Sequence, residues 1–342
     1  MINISMRLFQ ILIAIELDNQ KLTKLLNKKV STLISKTIFF KPILFFSFLL
    51  FFVGSNFSCN QASQGSGPKY SYSLSSPSIL IYHFAVHPLY SPAKLMQEYQ
   101  PLINYLNKRI SSAQFVLEAS RDYSIFEQKY KEGKIEFILP NPWQTIQAIT
   151  TGYNVIAMAG EPKDFKGIFI VRKDAGINMP SDLIGKKVSY PAATALASCI
   201  MPQYFLYKHG ININKDITNL YVGTQESSIM NVYYKETNAG GSWPLPWRDF
   251  VKVHPKEAAE LKVMWETESL INNSVMVRYN VPDTISNQVK KCLIELNKST
   301  EGNAILKGLE IARFTMATNT TYNIVKLYTD RFEKEVRKID IK

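Results

Sequence analysis

Only three cysteines and four histidines occur in 342 residues. Cys59, Cys199 and Cys292 form no C-x-x-C pair, and His83, His87, His209 and His254 show no metal-ligand spacing, so the sequence gives no case for a bound metal. The catalytic and nucleotide-cradling signatures H-E-x-x-H, G-x-S-x-G, the P-loop and G-x-G-x-x-G are missing as well. No enzyme activity, catalytic residue or cofactor is therefore expected. Charged residues make up 20% of the chain and leave a net charge of +12. The basic residues are dispersed among acidic ones, as in Arg331-Phe-Glu-Lys-Glu-Val-Arg-Lys, whereas a nucleic-acid surface needs them clustered with exposed aromatics. No internal repeat and no long low-complexity tract is present, so solenoids and disordered polymers are excluded.

Long apolar runs are also scarce. The longest, Pro42 to Val53, has about 12 residues where a bilayer-spanning helix needs roughly 20. With Lys36 and Lys41 before it and Gly54, Ser55 and Ser58 after it, this run reads as the h-region of a signal peptide. Cys59 follows at the position where a bacterial lipoprotein is cleaved and lipidated, although Asn56 and Phe57 fit that box loosely. Residues 1–58 are thus expected to be leader and signal peptide. They hold seven basic and two acidic residues, leaving +7 for the remainder. A modest positive field of that kind favours collection of anions. Residues 59–78, rich in Ser, Gly and Gln, cannot bury enough surface to offset the entropy of ordering and read as a flexible tether.

From residue 79 onward short apolar runs alternate with helical periodicity. Strands are expected at 79–86, 114–119, 135–139 and 154–159, with helices at 92–110, 123–131 and from Pro142. Gly167 to Arg172 reads as a strand leaving this unit for a second one. The second unit carries strands at 188–190, 219–222 and 261–265, helices at 195–208 and 226–235, and a stretch from Gly240 to Arg248 read as a loop stiffened by two prolines. Ser274 to Arg278 returns, and the rest is helical. The expected architecture is α/β with two lobes, 79–166 plus 274–342 and 167–273, each a mixed, mainly parallel sheet flanked by helices, joined by a hinge of two crossings.

The segments Tyr99-Gln-Pro-Leu-Ile-Asn-Tyr-Leu, Arg121-Asp-Tyr-Ser and Gly133-Lys-Ile-Glu-Phe-Ile-Leu-Pro-Asn-Pro-Trp come in a telling order. So do Ile168 to Ile177, Asp182 to Pro191, Cys199 to Leu206, Gly223-Thr-Gln-Glu-Ser and Asn238-Ala-Gly-Gly. Together they resemble the phosphonate, phosphite and phosphate-type substrate-binding proteins of ABC importers, over roughly residues 79–310. The resemblance implies the type II periplasmic-binding fold and a ligand held between the lobes.

It also nominates residues. Tyr123 stands where the family keeps a ligand-facing tyrosine, or else packs its helix. Asn141 and Trp143 follow the third strand, where relatives present polar or aromatic groups to the cleft; Trp143 otherwise belongs to the core. Pro191 to Ser198 matches the oxyanion turn, but reads Ala-Ala-Thr-Ala-Leu-Ala-Ser after the proline, leaving Thr194 and Ser198 as its hydroxyl donors. Thr224 and Gln225 open the next helix, with Gln225 where the family usually has histidine. Trp243 is either a cleft wall or lobe packing. Cys199 and Cys292 are expected to be buried thiols, with a disulfide between them the alternative.

The expected role is an extracytoplasmic lipoprotein, anchored in the membrane through Cys59 at the periplasm or cell surface. It would be a monomer that delivers a small oxyanion to an ABC permease and binds no nucleic acid. The residues leave two alternatives open: a partner that reports its ligand to a membrane sensor histidine kinase, and a ligand-free surface interaction protein.

Overall fold

The computed structural model describes residues 79–339; the expectations for the signal peptide, the tether and Cys59 lie outside these. The first lobe is built on β1 (Leu80–Val86), α1 (Pro92–Arg109), β2 (Ala113–Glu118), α2 (Tyr123–Lys131), β3 (Phe137–Leu139), α3 (Pro142–Thr150) and β4 (Tyr153–Ala159). The chain then enters the second lobe with β5 (Ile168–Arg172) and β6 (Lys187–Tyr190). A π-helical turn (Leu196–Ile200) runs into α4 (Met201–Lys208), followed by β7 (Thr218–Tyr221), α5 (Gln225–Tyr233), β8 (Ala239–Ser242), α6 (Pro244–Val253), α7 (Pro255–Ala259) and β9 (Leu261–Glu266). It returns through β10 (Ser274–Arg278), α8 (Asp283–Ile294), α9 (Thr300–Leu309), β11 (Phe314–Thr315) and α10 (Asn323–Glu335).

Two sheets result, ordered β11-β4-β10-β3-β1-β2 and β7-β6-β8-β5-β9. The parallel pairs are confined to β2-β1-β3 and β7-β6-β8, where helices provide the crossovers that parallel neighbours require. Every pairing made by β10, β11, β5 or β9 is antiparallel. The sheets are therefore mixed rather than mainly parallel, because the strands carrying the chain into and out of the second lobe must run against their neighbours. Central strands β3 and β10 are almost wholly buried, as expected of strands covered on both faces.

The two crossings, residues 160–167 and 267–273, run side by side. Thr267 N–H donates to the Gly167 carbonyl at 2.8 Å, and Leu270 N–H to the Phe165 carbonyl at 2.8 Å. One apolar cluster crosses between the lobes, uniting Trp143, Tyr322, Val325 and Phe332 with Leu196, Ile200, Met201, Tyr204 and Trp243.

Two sequence expectations need correction. Gly240 to Arg248 is not a stiff loop: its glycines lie in β8, and Pro244 and Pro246 fall in the first turn of α6, where a missing N–H costs nothing. The helix expected from Ala195 begins as a π turn. Pro202 has no N–H to bond the Ser198 carbonyl four residues back, so the ladder slips to Ile200 N–H on Ala195 O and Met201 N–H on Leu196 O. The freed carbonyls press on glycine backbone. A Cβ on Gly167 would sit 2.5 Å from the Ala197 oxygen, and one on Gly241 2.1 Å from the Ser198 oxygen.

Candidate functional site

Five helix beginnings converge on the seam between the lobes, around a void of about 10 Å³ lined by His87, Tyr123, Asn141, Phe165, Ala195 to Ser198, Gln225, Trp243 and Asn273. Each beginning carries orphan N–H groups unless something caps it. Asp122 accepts from Ile125 N–H at 3.0 Å and closes the start of α2. Asn141 accepts from Gln144 N–H at 3.0 Å, and the Gln144 side chain accepts from Asn141 N–H at 3.1 Å, a capping box on α3. Thr224 accepts from Ser227 N–H at 3.0 Å on α5. At α6 the prolines remove two of the first amides. Only the turn at Ala195 to Ser198 has full amides and no side-chain cap.

A second set of donors faces the same void. The Gln225 side-chain amide donates to the Ser198 hydroxyl at 2.9 Å and to the Tyr123 hydroxyl at 3.2 Å. Each hydroxyl oxygen thus serves as an acceptor for Gln225, and neither O–H proton has an acceptor among the described residues. Burial holds the Tyr123 hydroxyl protonated, raising its pKa well above the ordinary value. Gln225 is only 2% exposed, and Ser242 Oγ approaches its side-chain oxygen at 3.5 Å. The arrangement offers two hydroxyl protons and the first-turn amides of one helix, all neutral donors, to whatever enters. His87 adds no charge: burial lowers its pKa to about 4, while its Nδ1 contacts the Leu139 carbonyl at 3.0 Å. A void of this size holds about one water.

Outward from the void lies a chamber of about 330 Å³ lined by Arg121, Asp122, Tyr123, Glu127, Ala192 to Thr194, Tyr221 and Gly223. Three contacts hold its walls together. Asn141 Nδ2 donates to the Thr194 carbonyl at 3.2 Å, the Thr194 hydroxyl to Glu127 Oε1 at 2.7 Å, and Gln144 Nε2 to the same oxygen at 2.9 Å. Glu127 is 1% exposed, its Oε2 has no partner, and burial raises its pKa against the lowering effect of those two bonds. Behind the turn, Arg337 donates to the Ala193 carbonyl at 2.9 Å and to Gln203 Oε1 at 2.7 Å. It thereby braces the turn from the C-terminal segment of the chain.

The structure thus gathers Tyr123, Asn141, Ser198, Gln225 and Trp243 around one void, with Thr194 on the adjoining chamber. Trp243 lines the void and packs on Phe165 with ring centroids 5.5 Å apart. Trp143 does not join them; it is buried in the cluster that crosses between the lobes. Thr224 is spent on capping α5 and borders a separate cavity of about 60 Å³ with Lys94 and Asp249. Cys199 and Cys292 are free thiols, and burial raises the Cys199 pKa to about 12. Sequence reasoning missed Glu127 and Arg337. Arg337 sits in the run of mixed charge from Arg331 to Lys338, Glu127 is a charged residue within a helix, and neither carries a local signal of burial.

Among the described residues no helix is long and apolar enough to cross a membrane. Residues 84–322 match the family model described as ABC transporter, phosphonate, periplasmic substrate-binding protein. A relative from Prochlorococcus marinus, named as a probable ABC transporter phosphite binding protein, is 23% identical over 185 residues. That alignment covers 50% of this chain and 62% of the relative, less than two thirds of its length. A crystal structure of the binding component of a Pseudomonas aeruginosa ABC phosphonate transporter superposes with a TM-score of 0.70 at 14% identity, covering 75% of this chain and 88% of the other. A Prochlorococcus marinus structure in complex with methylphosphonate gives a TM-score of 0.69 at 17% identity, covering 74% and 98%. These likenesses establish the two-lobed type II fold. With the family model spanning well over half of its residues, the chain belongs to the periplasmic phosphonate substrate-binding family of ABC transporters.

Proposed function

We propose that this chain captures a small tetrahedral oxyanion, of the phosphonate, phosphite or phosphate kind, and presents it to an ABC permease. We assign the capture to the gap between lobes 79–166 plus 274–339 and 167–273. Cys59 is the residue we assign to a lipid anchor that holds the chain at the periplasm or cell surface. One observation carries the reading: the one uncapped, amide-complete helix beginning at the seam among the described residues faces two hydroxyl protons that Gln225 has oriented as donors. Fixed neutral donors of this kind stabilise an anion without placing a counter-charge in the cleft. As it stands the void admits about one water, so the ligand enters only when the lobes part, and closure around it is a population shift.

The same smallness supports a second reading, in which the lobe pair has lost its ligand and serves as an interaction protein. Thermal unfolding of the purified protein with methylphosphonate, phosphite and phosphate, and with sulfate as control, separates the two. A ligand at 100 times its dissociation constant adds about 2.7 kcal/mol of stability. Absence of any shift at millimolar concentrations of all these anions would remove the capture role and leave the interaction role standing.

A further inference from the structure

A cavity larger than the cleft void and its adjoining chamber opens elsewhere on the molecule. It has a volume of about 560 Å³ and lies where the second crossing passes between α4 of the second lobe and α10 of the first. Small-molecule sites commonly occupy roughly 300–1,000 Å³. Its walls are Met201, Tyr204, Phe205, Leu270 and Tyr328, and its rim carries Ile324 and Leu327, which are 55% and 68% exposed. Large apolar side chains left in water beside an apolar cavity mark a surface that something covers.

The charges are uneven. Lys208 and Arg331 both line the cavity, and neither forms an ion pair within 4 Å among the described residues. The Lys208 ammonium sits 4.6 Å from the Tyr204 ring centroid. Of the acidic groups at this surface two are engaged, and one, Glu268, lines the cavity without an ion pair among the described residues. Glu266 pairs with Lys166, and Glu335 accepts from the Tyr204 hydroxyl at 2.8 Å. Glu268 lines the cavity and acts on Tyr328. His209 turns its Nδ1 to the Phe205 carbonyl at 2.8 Å.

We propose that this hinge-side cavity is a second ligand site, taking an amphiphilic anion: a planar apolar body on the Tyr204, Phe205 and Tyr328 rings, with one carboxylate or phosphate between Lys208 and Arg331. The site stands apart from the cleft void and shares no lining residue with it, so it does not rest on the capture of a small oxyanion. Both lobes and a crossing contribute walls. An occupant therefore touches the hinge without competing for the cleft.

Titration of the full chain with 1-naphthoate, compared with 1-naphthylmethanol and 1-naphthylmethylammonium, tests the proposal by calorimetry and ligand-observed NMR. Naphthoate binds saturably and at least about tenfold more tightly than the other two, the worth of one or two charge-assisted contacts. The paired substitution Lys208→Ala and Arg331→Ala removes that preference while leaving the melting temperature near the parent value. A bulky Ser269→Trp, which fills the cavity without touching either charge, abolishes binding of all three. Methylphosphonate does not displace naphthoate. Equal binding of the neutral compound, binding indifferent to loss of both cations, displacement by methylphosphonate, or no saturable binding would each overturn it.

Discussion

Two strand-to-helix junctions face each other across the seam and treat their amides in opposite ways. At Asn141 the first turn of α3 is closed by its own side chains, with Asn141 and Gln144 each accepting the other's N–H. At Ala195 the turn has alanine and leucine where a cap would stand, and its amides stay open. The first junction is finished by its own side chains; under the proposed function the second is finished by the ligand. The lobes therefore differ in what they bring to a ligand. The first supplies a rigid wall and a tyrosine, and the second supplies the charge-seeking end of a helix. Under the proposed function, the difference also makes alanines at 192, 193, 195 and 197, which supply no side-chain donors, compatible with anion capture. Backbone amides and the two oriented hydroxyls provide the donors that extra serines would otherwise provide.

The comparison breaks most severely at Gly241. Its missing Cβ leaves room for the Ser198 carbonyl that Pro202 has freed, and an added methyl would lie 2.1 Å from that oxygen and 2.7 Å from the Tyr190 ring. Gly241→Ala must push the uncapped turn away from β8. We expect a loss of about 1–3 kcal/mol in chemical denaturation, typical of an overpacked core, together with loss of oxyanion binding in calorimetry. An alanine variant that binds as tightly as the parent would show that the turn does not depend on its glycine backing.

A paired substitution sharpens the comparison. Gln225→Ala leaves both hydroxyls unoriented, and oxyanion affinity should fall about 10- to 100-fold, as expected for two lost hydrogen bonds near an anion. Asn141→Ala removes a cap and should cost about 1 kcal/mol of stability with only a small change in affinity. Parallel calorimetry and thermal unfolding read the two effects separately. Were Asn141→Ala to damage affinity as much as Gln225→Ala, the division between a structural junction and a binding junction would fail.

Most of the element order was legible because apolar periodicity survives in a two-lobed α/β chain. Helix α1 announces itself by Leu95, Tyr99, Leu102, Ile103 and Leu106, all buried. Strand β10 reads as an apolar run because both its faces are covered. The candidate site was legible where the residue type itself carries the chemistry, as at Tyr123, Ser198 and Gln225. It was not legible where a residue's environment comes from another lobe. Glu127 looks like an exposed residue in a charged helix, and only the arrival of Thr194 from the second lobe and Gln144 from the next helix buries it. Arg337 lies in a stretch of alternating charge, and nothing local says that it reaches Ala193. Trp143 failed in the opposite direction: its position in the chain suits the cleft, but its side chain turns into the cluster shared by α3 and α10.

The smallest effect to be measured is a pH dependence that sets the two buried titratable groups of the seam against each other. His87 has its folded pKa lowered from 6.5 to about 4, so its contribution is fully present above 6.5 and is lost as pH falls toward 4. At about 1.4 kcal/mol per pH unit this amounts to roughly 3 kcal/mol at most. Glu127 is shifted the other way, raised above 4.5 by burial, with Asp122 raising and Lys131 lowering it slightly. Its stabilising effect is present below 4.5 and is lost as pH rises through its folded value, because an ionised carboxylate with one unpartnered oxygen is costly to keep dry. The two slopes oppose each other from pH 4.5 up to the folded value of Glu127, and the parent protein should show a shallower dependence there than His87 alone would give. Glu127→Gln keeps an acceptor for Thr194 and removes the charge. It should be as stable as the parent or more so at neutral pH, and should expose the full His87 slope on acidification. Thermal unfolding of both proteins across this range reads the difference directly. A Glu127→Gln variant that is destabilised at pH 7 would mean that the lobes are held together by the carboxylate's charge and not merely by its shape and its hydrogen bonds.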